Sequence, residues 1–440
     1  MSSQLFGTDG IRGPAGTYPL DHAGMVQIGK AVATYFAQPG DLILVGWDPR
    51  ESSPVLVDGV VEGLVAAGAA VRKIGVVPTP GLAYLTKQRR AVAGVMITAS
   101  HNPYSDNGVK VFTPDGRKLP DEVQTGLNQL ISGDTIATRP GGSVSDDSDA
   151  AQAYEDFLVS AAEGASFDAL RLAVDTANGA TSGIAARVFE RLGAHVTALF
   201  DQPDGKNINV RCGATDPAAL QAAVREQQLS AGAAFDGDGD RLVLVDEQGR
   251  QLTGDHILYI LAVSSGYDGV VATVMSNGGL ERALKKHHIA LQRTAVGDRS
   301  VLAGMQETGF RLGGEQSGHI IIPQYNSTGD GLVAAIRTLI AVNASGKTLG
   351  TWYDELSLLP QALVNIPLSD KSALNHPTVQ KFVESQTAEL GDSGRLLIRP
   401  SGTEPKARIM VEAPDAEKRA RDIAATLTKL TSSPPDPGEA

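Results

Sequence analysis

Apolar residues fall in short runs, each followed by a polar or glycine-containing turn and then by a stretch with helical spacing. Three segments repeat this order and close on a second apolar run. They are LILVGWDPRESSPVLVDGVVEGLVAAGAAVRKIG (42–75), LRLAVDTANGATSGIAARVFERLGAHVTALF (170–200) and GVVATVMSNGGLERALKKHHIALQRTAV (269–296). In the first, Val60, Leu64 and Val65 share a helix face; in the second, Ile184, Val188, Phe189 and Leu192 do. Strands alternating with helices predict βαβ units and a largely parallel sheet. The segments lie far apart, so the pattern predicts three similar α/β domains rather than one continuous sheet. Strands near 395–399 and 407–413 and a helix from Asp415 predict a smaller C-terminal α+β domain.

Boundaries follow from composition. SGDTIATRPGGSVSDDSDA (132–150) reads as a linker, DEQGRQLTG (246–254) as a second break, and the stretch around Pro360 and Pro367 as a third. The expected domains are therefore 1–150, 151–250, 251–362 and 363–440, with the tail SSPPDPGEA (432–440) disordered. The length of 440 residues exceeds what one hydrophobic core usually organises, in line with several domains.

Charge and cysteine content narrow the classes of function. A formal net charge of −12 argues against a general binder of nucleic acid or anionic membrane, but not against an anionic small substrate met by a local basic cluster. Cys212 is the single cysteine, which excludes an intrachain disulfide and fits a reducing compartment. The apolar runs are too short to span a bilayer. The N-terminus MSSQLFGTDGIRG lacks a basic region followed by an apolar stretch, so a cytoplasmic protein is expected.

Three motifs carry chemistry. In FDGDGDR (235–241), Asp236, Asp238 and Asp240 alternate with glycines, and three hard oxygen donors so spaced suit Mg²⁺. A calcium loop is the rival, since Glu247 takes its twelfth position, but Arg241 occupies the sixth, where that loop needs glycine. A solvated acidic turn is the plain alternative. In RPSGTEPKARIMVE (399–412), Arg399, Ser401, Gly402, Thr403 and Arg408 set two guanidinium groups around small donors, as a phosphate requires. A turn with flanking surface arginines would read the same way. In GGEQSGHII (313–321), Glu315, Ser317 and His319 offer donors and acceptors suited to sugar hydroxyls, or simply a turn before a strand.

A fourth stretch, GVMITASHNPYSDNGVK (94–110), places Ser100 beside His101. A Ser-His hydrolase needs the imidazole within reach of the hydroxyl, whereas adjacent side chains in extended chain point to opposite faces. No G-x-S-x-G elbow surrounds this serine. Alongside a metal loop and a phosphate cradle, Ser100 reads better as a carrier of a phosphoryl group.

TASHNP, DGDGDR, GEQSGH and RPSGTEP stand in the order and spacing of the α-D-phosphohexomutase superfamily, which the chain resembles over nearly its whole length. FGTDGIRG (6–13), NIN-x-x-CG-x-TD (207–216), Val296–Arg299 and TGDG (328–331) resemble its bacterial branch acting on glucosamine phosphates. Gln316 stands where the phosphomannomutase and phosphoglucomutase branch typically has Met. Ala214, SNGGL (276–280) and Lys406-Ala407 depart from the usual pattern without removing a catalytic group.

The resemblance implies an α/β fold of three similar domains with mixed sheets plus the smaller C-terminal α+β domain, arranged around a central active-site cleft. It implies that Ser100 is phosphorylated and completes an Mg²⁺ site, one ion per subunit, with Asp236, Asp238 and Asp240. Glu315, Ser317 and His319 would meet the sugar, while Arg399, Ser401, Gly402, Thr403 and Arg408 would grip the non-reacting phosphate. Arg12, His101, Lys110 and Arg241 would line the reacting centre, with Lys110 as general acid/base. The implied reaction interconverts glucosamine 6-phosphate and glucosamine 1-phosphate through glucosamine 1,6-bisphosphate, which is also the activator. The implied partner is a small sugar phosphate, not nucleic acid or membrane, and a homodimer is in keeping with the resemblance. Alternatives are a phosphoglucomutase or phosphomannomutase of the same superfamily, a metal-dependent phosphatase, or a non-catalytic phosphosugar-binding protein.

Overall fold

The computed structural model describes residues 5–7, 10–133, 136–368, 370–400 and 405–432. It forms two compact units, residues 1–273 with 289–355, and residues 274–288 with 356–440.

The first unit holds three sheets. A six-stranded sheet runs in the order Ile11–Pro14, Asp106–Phe112, Ala93–Ile97, Leu42–Trp47, Ala70–Val76, Ser143–Asp146. Its last four strands are parallel and its first two antiparallel to their neighbours. The strand Ala93–Ile97 explains its own unbroken apolar run. Val95 and Ile97 enter the core on one face, Met96 enters the core on the other, and all three are wholly buried. A strand covered on both faces shows no alternation, and burying three such side chains contributes roughly 1.5–3 kcal/mol each. The strand ends at Ile97, and Ser100 follows in the loop before Asp106–Phe112.

Two helices on this sheet, His22–Phe36 and Ser53–Ala66, cross at backbone contact through glycines. A Cβ on Gly63 would stand 2.1 Å from the carbonyl oxygen of Val26, and one on Gly29 2.3 Å from that of Val60. Gly63→Ala is expected to destabilise the protein by about 3 kcal/mol, because backbone cannot yield as a flexible side chain can. Denaturant unfolding measures this; an unchanged midpoint would show that the helices separate without cost.

The second sheet runs Gln251–Leu252, Leu242–Val245, Ala231–Phe235, Arg171–Asp175, His195–Leu199, and the third Ala290–Thr294, Gly269–Thr273, Gly313–Gly314, Ile320–Ile321. Both mix parallel and antiparallel pairs. Ile184, Val188, Phe189 and Leu192 are buried as their spacing predicts.

The second unit is a three-stranded antiparallel sheet, Gln361–Pro367, Lys406–Glu412, Arg395–Pro400, with helices Pro377–Leu390 and Ala416–Ser432. It also contains the helix Gly278–Lys286. The buried Glu412 accepts from the backbone N–H of Gly278 at 2.9 Å, and Asn277 exchanges hydrogen bonds with Leu359 in both directions. The helix of the third repeated segment thus belongs to the C-terminal unit, while the two strands of that segment lie in the first.

Two other segments differ from expectation. Residues 143–146, read as linker, form an exposed edge strand parallel to Ala70–Val76. The stretch between Pro360 and Pro367, read as a break, is the edge strand Gln361–Pro367. The expected disordered tail beyond residue 432 lies outside the described residues. No helix among the described residues is long and apolar enough to cross a membrane.

Candidate active site

The loop after Phe235 carries three carboxylates inward, with Asp236 and Asp238 wholly buried and Asp240 4% exposed. One oxygen of each lies within 4.8 Å of the others. The glycines between them permit this. A Cβ on Gly237 would stand 2.5 Å from the Ser100 carbonyl oxygen, and Gly239 has φ +73 with Thr181 in the way of any Cβ.

Ser100 reaches this trio from the neighbouring sheet. Its hydroxyl donates to Asp236 Oδ2 at 2.6 Å, and the backbone N–H of Arg241 donates to Asp236 Oδ1 at 3.2 Å. Lys110, on the strand Asp106–Phe112, is buried with Nζ 2.6 Å from Asp238 Oδ2 and 3.3 Å from Asp240 Oδ2. Thr79 donates its hydroxyl to the same Asp238 oxygen at 2.5 Å, and its backbone N–H to the Asp238 carbonyl at 2.9 Å. Asp238 Oδ1 and Asp240 Oδ1 are buried without a hydrogen-bond partner among the described residues. Orphaned anionic oxygens on adjacent carboxylates fit a hard divalent cation, for which all-oxygen donor sets are usual.

The charges divide unevenly. Burial, and then the neighbouring Asp240 and Asp238, push the Asp236 carboxyl up to about 7. Burial works against ionisation of Asp238 and Asp240 too, but the Lys110 ammonium holds both below the usual carboxylate range.

His101 corrects one step of the sequence argument. Its Nδ1 lies 3.2 Å from the Ser100 hydroxyl, because Ser100 has φ +53 and the chain is not extended there. The hydrolase arrangement still fails: no carboxylate among the described residues hydrogen-bonds the imidazole. Burial, followed by the Arg241 and Arg12 charges, lowers its pKa to about 4. Arg12 sits opposite Gly108 across the antiparallel pair, two residues from Lys110 on the same strand face. Arg241 is half-buried, its Nε 4.0 Å from Asp240.

On the third sheet's loop, Glu315 is half-buried and Ser317 exposed, and Glu315 Oε1 accepts from the backbone N–H of Gly297. His319, expected against the sugar, is the most deeply set of the three. It is 4% exposed and lies between carboxylates, Nδ1 3.7 Å from Asp240 and Nε2 3.9 Å from Asp298. Asp298 in turn pairs with Lys118 at 2.7 Å. Gly318, at φ +91, interrupts any alternation along the loop, and His319 faces the aspartate cluster.

In the C-terminal unit, Arg399 and Arg408 are directly opposite on adjacent antiparallel strands. Like charges so placed repel, and a phosphate between two planar forks turns that repulsion into attraction. Ser401, Gly402 and Thr403 lie outside the described residues.

Sequence reasoning missed Asp48, Arg50, Thr79 and Asn209. Asp48, Arg50 and Thr79 follow the C-terminal ends of the parallel strands Leu42–Trp47 and Ala70–Val76. Open α/β sheets gather ligand-binding groups there, so polar residues just past each apolar run were the signal that could have found these three.

Models of four phosphoglucomutase/phosphomannomutase domains match in order: alpha/beta/alpha domain I over residues 3–136, domain II over 152–249, domain III over 253–358, and the C-terminal domain over 363–430. The chain belongs to the phosphoglucomutase/phosphomannomutase family. Among curated relatives, one from Thermus thermophilus is 46% identical over 432 residues, 97% of this chain and 98% of its own. One from Deinococcus radiodurans is 43% identical over 434 residues, 97% of each chain. Both are called phosphoglucosamine mutase. A crystal structure of a phosphoglucomutase/phosphomannomutase family protein from Burkholderia thailandensis superposes with TM-score 0.83 at 28% identity, covering 100% of this chain and 99% of that one. The Aspergillus fumigatus N-acetylphosphoglucosamine mutase, solved with GlcNAc-6P and magnesium, shares the fold at TM-score 0.69 and 19% identity, over 97% of this chain and 95% of its own. Family membership makes the chain a phosphomutase.

Proposed function

We propose that the chain interconverts glucosamine 6-phosphate and glucosamine 1-phosphate, with Ser100 as the phosphate carrier. The observation that carries this reading is the Ser100 hydroxyl 2.6 Å from a buried aspartate of a three-carboxylate cluster, within a chain whose full-length relatives bear that activity in their names.

In the first half-reaction, O1 of glucosamine 6-phosphate attacks the phosphorus of phospho-Ser100. The bond from phosphorus to the serine oxygen breaks, and the sugar leaves as the 1,6-bisphosphate form. After the bisphosphate has turned end for end, Ser100 Oγ attacks the other phosphorus and releases glucosamine 1-phosphate. Lys110, the buried ammonium beside the cluster, gives a proton to the oxygen from which phosphorus departs and is recharged by the proton that the attacking hydroxyl loses. Arg12 and Arg241 face the transferring oxygens with positive charge. Neutral His101 offers Ser100 a hydrogen bond without adding charge. Glu315 and Ser317 hold sugar hydroxyls, and the facing Arg399 and Arg408 grip a phosphate group. Asp236, Asp238 and Asp240, with phosphate-bearing Ser100, would hold one Mg²⁺. When bound, that ion neutralises charge on the transferring phosphoryl group.

A substrate panel tests the reading. Glucosamine phosphate should exceed glucose and mannose phosphates in kcat/KM by on the order of 10²-fold, the discrimination open against a near-isostere, since these sugars carry a hydroxyl in place of the amine. Preference for glucose or mannose would move the chain to the sister activity. Release of inorganic phosphate in place of isomerised sugar would make it a phosphatase.

A further inference from the structure

Every N–H of the Arg50 guanidinium is engaged, none of them by the carboxylate cluster, and four of the five go to carbonyls between Ser100 and Asp106. Nη2 donates to the carbonyls of Ser100 at 2.8 Å and Asn102 at 2.9 Å. Nη1 donates to the carbonyls of Asp106 at 3.1 Å and of Pro103. The fifth, on Nε, meets Asp48 Oδ2 at 2.9 Å, and both side chains of this pair are wholly buried. Asp48 Oδ2 also accepts from the Thr98 hydroxyl at 2.6 Å, and that hydroxyl accepts from the backbone N–H of Ser100 at 2.9 Å. Ser100 is thus held at its N–H through Asp48 and Thr98, and at its carbonyl through Arg50. Asn209, from the second sheet's domain, donates to the same carbonyl at 2.9 Å.

The conformation so held is one that serine avoids. A left-handed φ on a non-glycine residue costs about 1–3 kcal/mol and persists only where the surroundings over-determine it. Here it turns the hydroxyl toward Asp236. A loop of the same sequence without its central fork would relax toward ordinary φ and carry the hydroxyl off the cluster. We infer that Arg50, anchored by Asp48, is a positioning residue for phosphoryl transfer, acting by fixing the backbone of the phosphate-carrying loop rather than by touching substrate. This rests on Ser100 being the carrier.

Arg50→Lys is the informative variant. Lysine keeps the positive charge opposite Asp48, and so the buried ion pair, but an ammonium cannot reproduce a five-donor planar fork. The variant is expected to fold, to keep the wild-type KM for glucosamine phosphate, and to lose kcat on the order of 10²-fold, as for a small misplacement of a reacting group. Phospho-Ser100, followed by intact mass and ³¹P NMR, should show an altered phosphorus shift. Full rescue of kcat by lysine, or a rise in KM that accounts for the whole loss, would mark a merely structural role and overturn the inference. If Arg50→Lys does not fold, Asn209→Ala decides through the same carbonyl: kcat should fall about five-fold, the worth of one hydrogen bond, with KM unchanged, and an unchanged kcat overturns it. Wild-type turnover without phosphate on Ser100 would remove the carrier reading and this inference together. Phosphate on wild-type Ser100 beside an unimpaired Arg50→Lys enzyme would remove only the inference.

Discussion

Ser100→Ala should lower turnover of glucosamine 6-phosphate by four orders of magnitude or more, roughly the cost of deleting a covalent nucleophile in a site whose other groups survive. The barrier explains the size. Phosphate monoesters are among the slowest substrates to react unaided, with enzymatic accelerations up to ~10²¹-fold. A site without its carrier has no second route of comparable speed. The Thr79 hydroxyl also touches the cluster, but it is wholly buried and committed to Asp238. Ser100→Thr makes the test sharper. It keeps a hydroxyl, but a β-branched residue is a genuine outlier at φ +53, so it should not restore wild-type activity. Steady-state assays with a trace of bisphosphate, paired with intact mass to detect phosphate on the protein, read both variants. Near wild-type turnover by Ser100→Ala would sink the carrier reading.

That pair of variants marks where the sequence was informative and where it was not. The carboxylate trio was legible because its donors and the glycines that let them approach lie within a single short motif. Ser100 was legible as a candidate for the site for a similar reason, being part of TASHNP, and its hydroxyl does lie at the trio. Its conformation was not: the rule that neighbouring side chains diverge assumes extended backbone, and φ +53 brings His101 to 3.2 Å of the hydroxyl. Arg50 was invisible because its partners, residues 100–106, are distant in sequence and it meets them through backbone carbonyls, which no residue pattern records. The burial of His319 between Asp240 and Asp298 was not legible either, because those two residues are distant in sequence and the turn at Gly318, φ +91, sets its direction. The edge strands Ser143–Asp146 and Gln361–Pro367 were lost for another reason. The first is exposed along its whole length and the second along much of it, so neither carries a clear apolar signal.

Lys110→Met should combine a fall in kcat of about 10³-fold, the loss of a positioned proton carrier, with a changed response to metal. In the metal-free protein the Lys110 ammonium is hydrogen-bonded to two of three buried carboxylates. Methionine fills the same space but leaves those charges uncompensated, which costs about 3–5 kcal/mol for a broken buried pair. A divalent cation supplies the missing charge, so Mg²⁺ should raise the melting temperature of the variant more than that of wild type. The pH dependence has a definite sign. Asp236 is already raised from 3.8 to about 7, so the folded metal-free protein binds a proton that the unfolded chain releases, and stability falls as pH rises across that window. Without Lys110, burial also pushes Asp238 and Asp240 upward, and the same loss becomes steeper. Melting curves in chelator and in Mg²⁺ across this range decide the matter. A variant that gains no more from Mg²⁺ than wild type does, with an unchanged pH slope, would separate Lys110 from the metal cluster and leave its proton-carrying role without the electrostatic setting it requires.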